Sequence, residues 1–285
     1  MRVAVTGSHG FIGSVLVASL ERDGHDVSRV GRDASGGLDG SGLAGAEAVI
    51  HLAGEGVASK RWTPEQKRRV LESRTQGTRL VATTVAGLSP RPRVLLSGSA
   101  VGYYGDRGDE VLTEESSAGG DFLADVCVQW EAATLAAEQA GIRVAHLRTG
   151  IVVGKAGGAV AKTLPLFKLG LGGRIGSGRQ YWSWISLTDE IGAIRFLLDH
   201  DVAGPVNLTS PEPVTNAVFT KAVGRALHRP TFVPVPKFGP RLLLGREAAD
   251  SVVSASQRVV PTVLAREGYR FTHETVDEAV TAELT

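Results

Sequence analysis

At 285 residues, 42% of them hydrophobic, the chain can bury a sizeable core and hold one large domain or a main domain with a lobe. Thirty-one Lys and Arg against thirty Asp and Glu leave a formal charge of +1, so no global field draws nucleic acid, an anionic membrane or an acidic partner, and a small-molecule partner is expected. The single cysteine, Cys127, makes no intrachain disulfide and no Cys-rich metal site, no leader pattern follows Met1, and no apolar run approaches ~18 residues, so the expectation is a cytoplasmic protein without a metal.

In chain order, Arg2 to Thr6 reads as a buried parallel strand, Gly7-Ser8-His9-Gly10 as a turn, and Phe11 to Arg22 as a helix with apolar residues at helical spacing. Gly7 permits the tight turn, Gly10 lets backbone approach a pyrophosphate, and Gly13 lets helix and strand pack closely while the helix N-terminus faces phosphate charge. The expected contacts from this turn are Gly7, His9, Gly10, Phe11, Ile12 and Gly13. A second strand, Asp26 to Val30, ends in Gly31-Arg32-Asp33. An acid about 20 residues past the glycines would hold a ribose 2′-hydroxyl, whereas an arginine accepts a 2′-phosphate in bidentate fashion. Arg32 arrives first, with Arg29 as a helper, which points to NADP(H). Asp33 keeps NAD open as the alternative. Glu47 to Ala53 gives another strand, where Leu52, Ala53 and Gly54 let adenine or ribose lie against backbone, with Ser97 further along. His51 reads as a packed strand histidine.

TGSHGFIG, HLAGEG, SRTQGTRLV (73–81), LLSGSAVGYYG (95–105) and LRTGIVVG (147–154) together resemble the extended short-chain dehydrogenase/reductase family, which includes nucleotide-sugar epimerases. RWTPEQKRRVLESR, DFLADVCVQWE, GGRIGSGRQYWSWI and RVVPTVLAREGYRF resemble its atypical epimerase-like subgroup, whose members carry a short extra C-terminal domain. The resemblance implies an α/β fold: a Rossmann-like doubly wound parallel sheet over 1–154, to which the chain returns around 181–210. A smaller mixed α/β substrate lobe follows over 155–285, including the C-terminal extension from about 235. It also implies a carbonyl or sugar-nucleotide substrate and a homodimer formed through helices of the nucleotide domain.

Family catalysis rests on a tyrosine that shuttles a proton, a lysine four residues later that lowers the tyrosine pKa, and a serine. Unperturbed Tyr titrates near pH ~10, too high for a general base at neutral pH. Four residues after tyrosines 103, 104, 181 and 269 stand Arg107, Gly108, Ile185 and His273, so no Tyr-x-x-x-Lys exists. With Glu131 as the family's glutamate, the lysine position is Cys127 and the tyrosine position Leu123, and the family's asparagine falls at Arg74. Ser99 of the usual constellation stays in place. Tyr103 and Tyr104 lie on a loop that overhangs the nicotinamide in relatives, so either could act as an acid, with Arg74, Lys60 or Arg61 stabilising negative charge. Cys127, between Val126 and Val128, reads as a small hydrophobe.

In the second half, an apolar helix is expected near Thr163 to Leu169, and the glycine-rich 170–180 segment, which carries Arg174 and Arg179 and has no phosphate-loop ending, reads as a lid or turn. Tyr181 to Ile185 reads as a strand with Trp182 and Trp184 on one face, either a pocket wall or core. Asp189 begins the next helix, and Thr275 to Glu278 fits a capping box opening the last one. Three functional classes remain: an NADP(H)-dependent epimerase-like oxidoreductase with an altered proton donor, a catalytically silent NADP(H)-binding sensor or partner-binding protein, and a nucleotide-sugar binder that uses the cofactor structurally.

Overall fold

The first apolar run forms strand β1 (Arg2–Thr6), its last four residues buried, as a strand covered on both faces requires. The computed structural model describes residues 1–31, 38–58, 60–236 and 238–285, the Leu243 side chain excepted. After β1 come α1 (Phe11–Arg22), β2 (Asp26–Val30), β3 (Ala48–His51), α2 (Pro64–Gly87), β4 (Val94–Ala100) and the short β5 (Val111–Leu112). Next are α3 (Phe122–Ala132), α4 (Leu135–Gln139), β6 (Arg143–Thr149), β7 (Ile151–Val153), α5 (Gly158–Lys168), β8 (Tyr181–Trp182) and β9 (Trp184–Ser186). The chain closes with α6 (Leu187–Asp199), β10 (Gly204–Leu208), β11 (Val214–Thr215), α7 (Asn216–Ala226), α8 (Phe238–Leu244), α9 (Arg246–Ala249), β12 (Arg258–Val259), α10 (Thr262–Arg266) and α11 (Val276–Leu284).

Six strands make one parallel sheet in the order β10, β6, β4, β3, β1, β2. Side chains alternate across it: Val3 and Val5 join Leu16, Leu20, Ile194 and Leu197 under α1 and α6. Ala4 and Val49 face Val81 and Val85 of α2 on the other side. The order reverses at β1, with β2 on one flank and β3 on the other. At such a reversal the carboxyl ends of neighbouring strands open a crevice, and ligands bind there in open α/β sheets.

The expected strand at 47–53 is shorter in the structure, Ala48–His51, and the expected helix at 163–169 begins earlier, at Gly158. The expected strand at 181–185 is broken at Ser183, because the Ser183 hydroxyl donates to the Gln257 carbonyl at 2.6 Å and accepts from Val259 N at 2.8 Å. Its halves join different partners, β8 with β11 and β9 with β7. Both tryptophans pack into one hydrophobic cluster. Trp184 is fully buried among Val153, Phe219 and Val280, and Trp182 packs edge-on to Phe219 at 5.4 Å in the same cluster. Ser186 caps α6 by accepting from Asp189 N, and the Asp189 carboxylate also accepts from Thr272 N and His273 N. The Thr275–Glu278 capping box opens α11 as its sequence predicts. No described helix is long and apolar enough to cross a membrane.

Candidate functional site

The β1–α1 turn is built around backbone contact that side chains would block. Gly7 has φ +70°, a conformation that favours glycine, and a Cβ there would lie 2.7 Å from the Leu52 carbonyl carbon and 2.8 Å from Ala53 N. A Cβ at Gly13 would run into the Gly7 carbonyl oxygen. Gly10 caps α1 without any side-chain hydrogen bond, and its own N–H closes the turn onto Gly7 O at 2.9 Å. The first-turn amides of α1 are thus left to a ligand, at the positive end of the helix dipole. His9 is exposed at the turn, while the Phe11 ring packs against Gly154, Gly157 and Gly158 and ties the turn to the second half of the chain. The turn residues from Gly7 to Gly13 and the Leu52–Ala53–Gly54 segment therefore share one crevice, at the reversal of the sheet. Arg32 and Asp33 lie outside the described residues.

His51 is fully packed, its Nδ1 2.6 Å from Thr6 Oγ1, and burial lowers its pKa to about 4, so it is neutral there. Ser97 is buried, pairs with His51 across β3 and β4, and offers no exposed hydroxyl.

Ser99 sits at the C-terminal end of β4, 5% exposed, and donates its hydroxyl to Glu131 Oε1 at 2.7 Å. The Glu131 carboxylate takes a fork from Arg148, Nε to Oε1 at 2.8 Å and Nη2 to Oε2 at 2.9 Å. Arg148 Nη1 donates to Tyr104 Oη at 3.1 Å, and Tyr104 Oη donates to Asn207 Oδ1 at 2.7 Å. Burial pushes the Glu131 pKa up, but the hydrogen bonds and charge of Arg148 and the bond from Ser99 outweigh it and hold the group below the usual carboxylate range. Tyr104 is completely buried, and burial pushes its pKa up to about 12. The expectation that Tyr104 could supply a proton is corrected accordingly: its hydroxyl is spent inside the network. Tyr103 is half-buried and presents its ring, not its hydroxyl, to this network, with the Arg148 guanidinium 3.5 Å from the ring centroid.

At the tyrosine and lysine positions the face is apolar. Leu123 Cβ lies 3.4 Å from where a Gly102 Cβ would stand, and Cys127 Sγ donates weakly to the Ala100 carbonyl at 3.7 Å. Burial, with the Glu131 charge second, pushes the thiol up to about 12, so it stays protonated. The nearby cation comes from another helix. Arg74 of α2 lies against Gly54, donates through Nη1 to the Glu55 carbonyl at 2.7 Å and the Val70 carbonyl at 3.2 Å, and stacks over Trp130 at 4.8 Å. Burial lowers its pKa, with the Glu55 charge opposing. Lys60 is exposed, and Arg61 packs instead against Gly245. Among the described residues, no group of three or more His, Cys, Asp or Glu could hold a metal ion.

The Arg148–Glu131 fork is the part of the site that motif reading misses. A signal was available: Arg148 is a cation in the interior of the strand RVAHLRT, next to Leu147, and a buried cation requires a buried partner.

The chain matches the family model described as NAD dependent epimerase/dehydratase family over residues 3–209, and a domain of unknown function (DUF1731) over 235–283. It is 44% identical to an epimerase family protein of Mycobacterium tuberculosis, covering 98% of this chain and 96% of that one. The crystal structure of human epimerase family protein SDR39U1 (isoform 2) with NADPH superposes with a TM-score of 0.92 at 32% identity, covering 99% of both chains. A nucleoside-diphosphate sugar epimerase from Corynebacterium glutamicum gives 0.79 at 35% identity, covering all of this chain and 58% of that one. A glycine turn closed onto backbone, a sheet reversed at β1 and a family match across two thirds of the length agree: the chain belongs to the NAD dependent epimerase/dehydratase family.

Proposed function

We propose that this protein binds NADP(H) in the crevice at β1 and interconverts a hydroxyl and a carbonyl on a small molecule, without the tyrosine–lysine relay. The observation that carries the reading is the cradle itself: Gly7 and Gly13 admit no Cβ, and the α1 amides beside them have no side-chain cap. The human relative's structure with NADPH, 32% identical over 99% of both chains, supports the choice of cofactor. Gly7, Gly10 and Gly13 would hold the diphosphate, with Leu52, Ala53 and Gly54 against the adenosine side. When bound, the cofactor supplies or accepts the hydride, which is the difficult part of the chemistry.

The chain's own residues then manage the oxygen of the substrate. Ser99 has committed its proton to Glu131, so its oxygen offers lone pairs and accepts from a substrate hydroxyl. In the oxidation direction the hydroxyl proton passes to Ser99 Oγ as the Ser99 proton passes to Glu131. Arg148 holds the carboxylate in place for that transfer. Arg74 supplies positive charge against a developing oxyanion, and Trp130 shields that charge from water. Tyr103 stacks on Arg148 as a packing residue. Because Glu131 is ionised well below neutrality, the rate should be flat from pH 6 to 9, whereas a tyrosine relay would titrate.

The apolar contact of Leu123 and Cys127 with Gly102 and Ala100 favours a second reading, a silent NADP(H)-binding sensor. Titration calorimetry with NADPH and NADH, followed by NADPH oxidation against carbonyls and sugar nucleotides, separates the two. Turnover that Arg74→Met removes while NADPH affinity stays within about twofold supports the enzyme. Tight NADPH binding with silence toward every acceptor supports the sensor. No binding of either coenzyme overturns both.

A further inference from the structure

Away from the crevice, two stretches in the second half of the chain are one-signed although the whole chain is nearly neutral. Residues 213–246 contain Lys221, Arg225, Arg229, Lys237, Arg241 and Arg246 and not one Asp or Glu, and residues 156–188 contain four cations and no acid. The two stretches meet at a cleft of about 710 Å³ between α7 and the 228–232 segment, with Arg174 on its other wall and no carboxylate among its lining residues. Of its cations, Arg225 is neutralised by a fork from Asp277. Arg174 and Arg229 donate to main-chain carbonyls, Arg174 to those of Gly176 and Ser177 and Arg229 to those of Lys168 and His228, which orient the guanidiniums without cancelling their charge. Lys221 is exposed, and among the described residues none of Arg174, Lys221 and Arg229 makes an ion pair.

The backbone of the cleft carries a second anomaly. The C-terminus of α7 ends in paired bonds, His228 N to Arg225 O at 3.1 Å and Arg229 N to Gly224 O at 2.9 Å, an arrangement whose turning residue is usually glycine. Here that residue is His228 at φ +52°, the non-glycine residue at positive φ among those described. A side chain is kept at a backbone conformation that glycine would adopt more easily, and that side chain lines the cleft. Gly224 locks the segment down, since a Cβ there would press into Thr231 Cγ2 and the Arg229 carbonyl. Phe232 stands at the rim with 90% of its surface exposed, a flat apolar face beside the cations. The α7 carbonyl end contributes about half a negative charge, which the paired bonds and three unpaired cations outweigh.

We propose that this cleft is a second ligand site, for a small molecule carrying a diphosphate group, with the charge lying across Arg174, Lys221 and Arg229 and an attached ring on Phe232. A single phosphate leaves most of the space empty, whereas pockets of this size hold ligands of nucleotide dimensions. The site is separate from the glycine turn and does not depend on what binds there.

Titration calorimetry of the full chain with inorganic pyrophosphate, at low ionic strength, tests it with and without saturating NADPH. One saturable site that persists with NADPH is expected, its affinity falling steeply with salt. Lys221→Glu and Arg229→Glu should each weaken pyrophosphate binding at least tenfold and leave NADPH affinity unchanged. ADP should bind severalfold tighter than pyrophosphate in the presence of NADPH and lose that margin in Phe232→Ala, whereas adenosine alone, lacking the diphosphate, should not bind. His228→Gly should raise the melting temperature while weakening pyrophosphate. Absence of heat in the unsubstituted protein overturns the proposal. So does an equal loss in Lys155→Gln, which removes a charge outside the cleft. Because the Lys221→Glu comparison is also made without NADPH, failure of the cofactor reading would not be mistaken for failure of this one.

Discussion

Removing the Glu131 carboxylate should be among the most damaging single changes in the molecule. The Glu131 and Arg148 side chains are 12% and 4% exposed, and the carboxylate accepts three hydrogen bonds, two from Arg148 and one from Ser99. Glu131→Leu strands the guanidinium in the interior, a loss of about 3–5 kcal/mol for breaking a buried pair from one side. Unfolding entropy scales as ~2.1 cal/mol/K per residue, so for a chain of this length the loss appears as a drop of about 5–8 °C in melting temperature. Replacing both partners, Glu131→Leu with Arg148→Met, removes the stranded charge and fills the space, and should recover at least half of the loss. The pair also carries a pH signature. Its carboxylate sits below the unfolded value of ~4.3, so its stabilisation is fully present above that pH and is lost as pH falls through the lower folded value. Thermal and urea melts of the parent, single and double variants decide the matter. A loss under about 1 kcal/mol in the single variant, or a double variant no better than the single, would show that the fork is not the interdependent pair described.

Gly13→Ala should abolish NADPH binding and lower stability by a few kcal/mol, because the added methyl collides with the Gly7 carbonyl oxygen; a variant that still binds within threefold of the parent refutes the close approach. Glu190 is fully buried with one oxygen held by the Thr149 hydroxyl at 2.9 Å and the other unpaired, and burial raises its pKa to about 8. The folded protein keeps this proton between pH ~4.3 and about 8 while the unfolded chain loses it, so stability declines across that window and levels off above it. Glu190→Gln should abolish that decline and stabilise the protein at pH 8 by at most about 5 kcal/mol; melts from pH 5 to 9 that keep the same slope would refute the assignment. Cys127 should resist thiol-specific reagents at pH 8 in the folded protein and react at once in denaturant, since burial holds the thiol up at about 12. Rapid labelling of the folded protein would refute it.

What the sequence disclosed follows from range. Gly7, Gly10 and Gly13 announce themselves because the strand, the turn and the helix are consecutive, and the sheet follows from apolar runs such as AVIH and VLLSGSA that need no distant partner to be recognised. The α11 capping box is equally local. Ser183 defeats the same reasoning, because the break it makes between Trp182 and Trp184 depends on Gln257 and Val259, more than seventy residues away. Tyr104 misleads for the same reason: its neighbours place it near Ser99, while its burial depends on Arg148 and Asn207.

Those distant partners also explain why the C-terminal extension belongs to the site rather than hanging from it. Tyr104 is fixed by Asn207, whose amide donates to the Val260 carbonyl, and Glu114 Oε1 accepts from both Asn207 N and Val263 N. Gln257 donates to the Val101 carbonyl, Ser256 donates to Gly108 O, and β12 pairs with β5. The loop carrying Tyr103 is therefore stitched to residues 256–263, and from Tyr104 the chain of bonds runs through Arg148 and Glu131 to Ser99. The first part of the extension also packs on the segment that opens α2, where Lys67 pairs with Glu247 at 2.6 Å and Trp62 N donates to Leu244 O. A chain cut before residue 235 would keep every glycine of the cradle yet lose the bonds that orient Tyr104 and Asn207, and with them the support of the one serine left in the site. Nucleotide binding should survive that cut better than any reaction at Ser99, which is why the two halves of the sequence have to be read together.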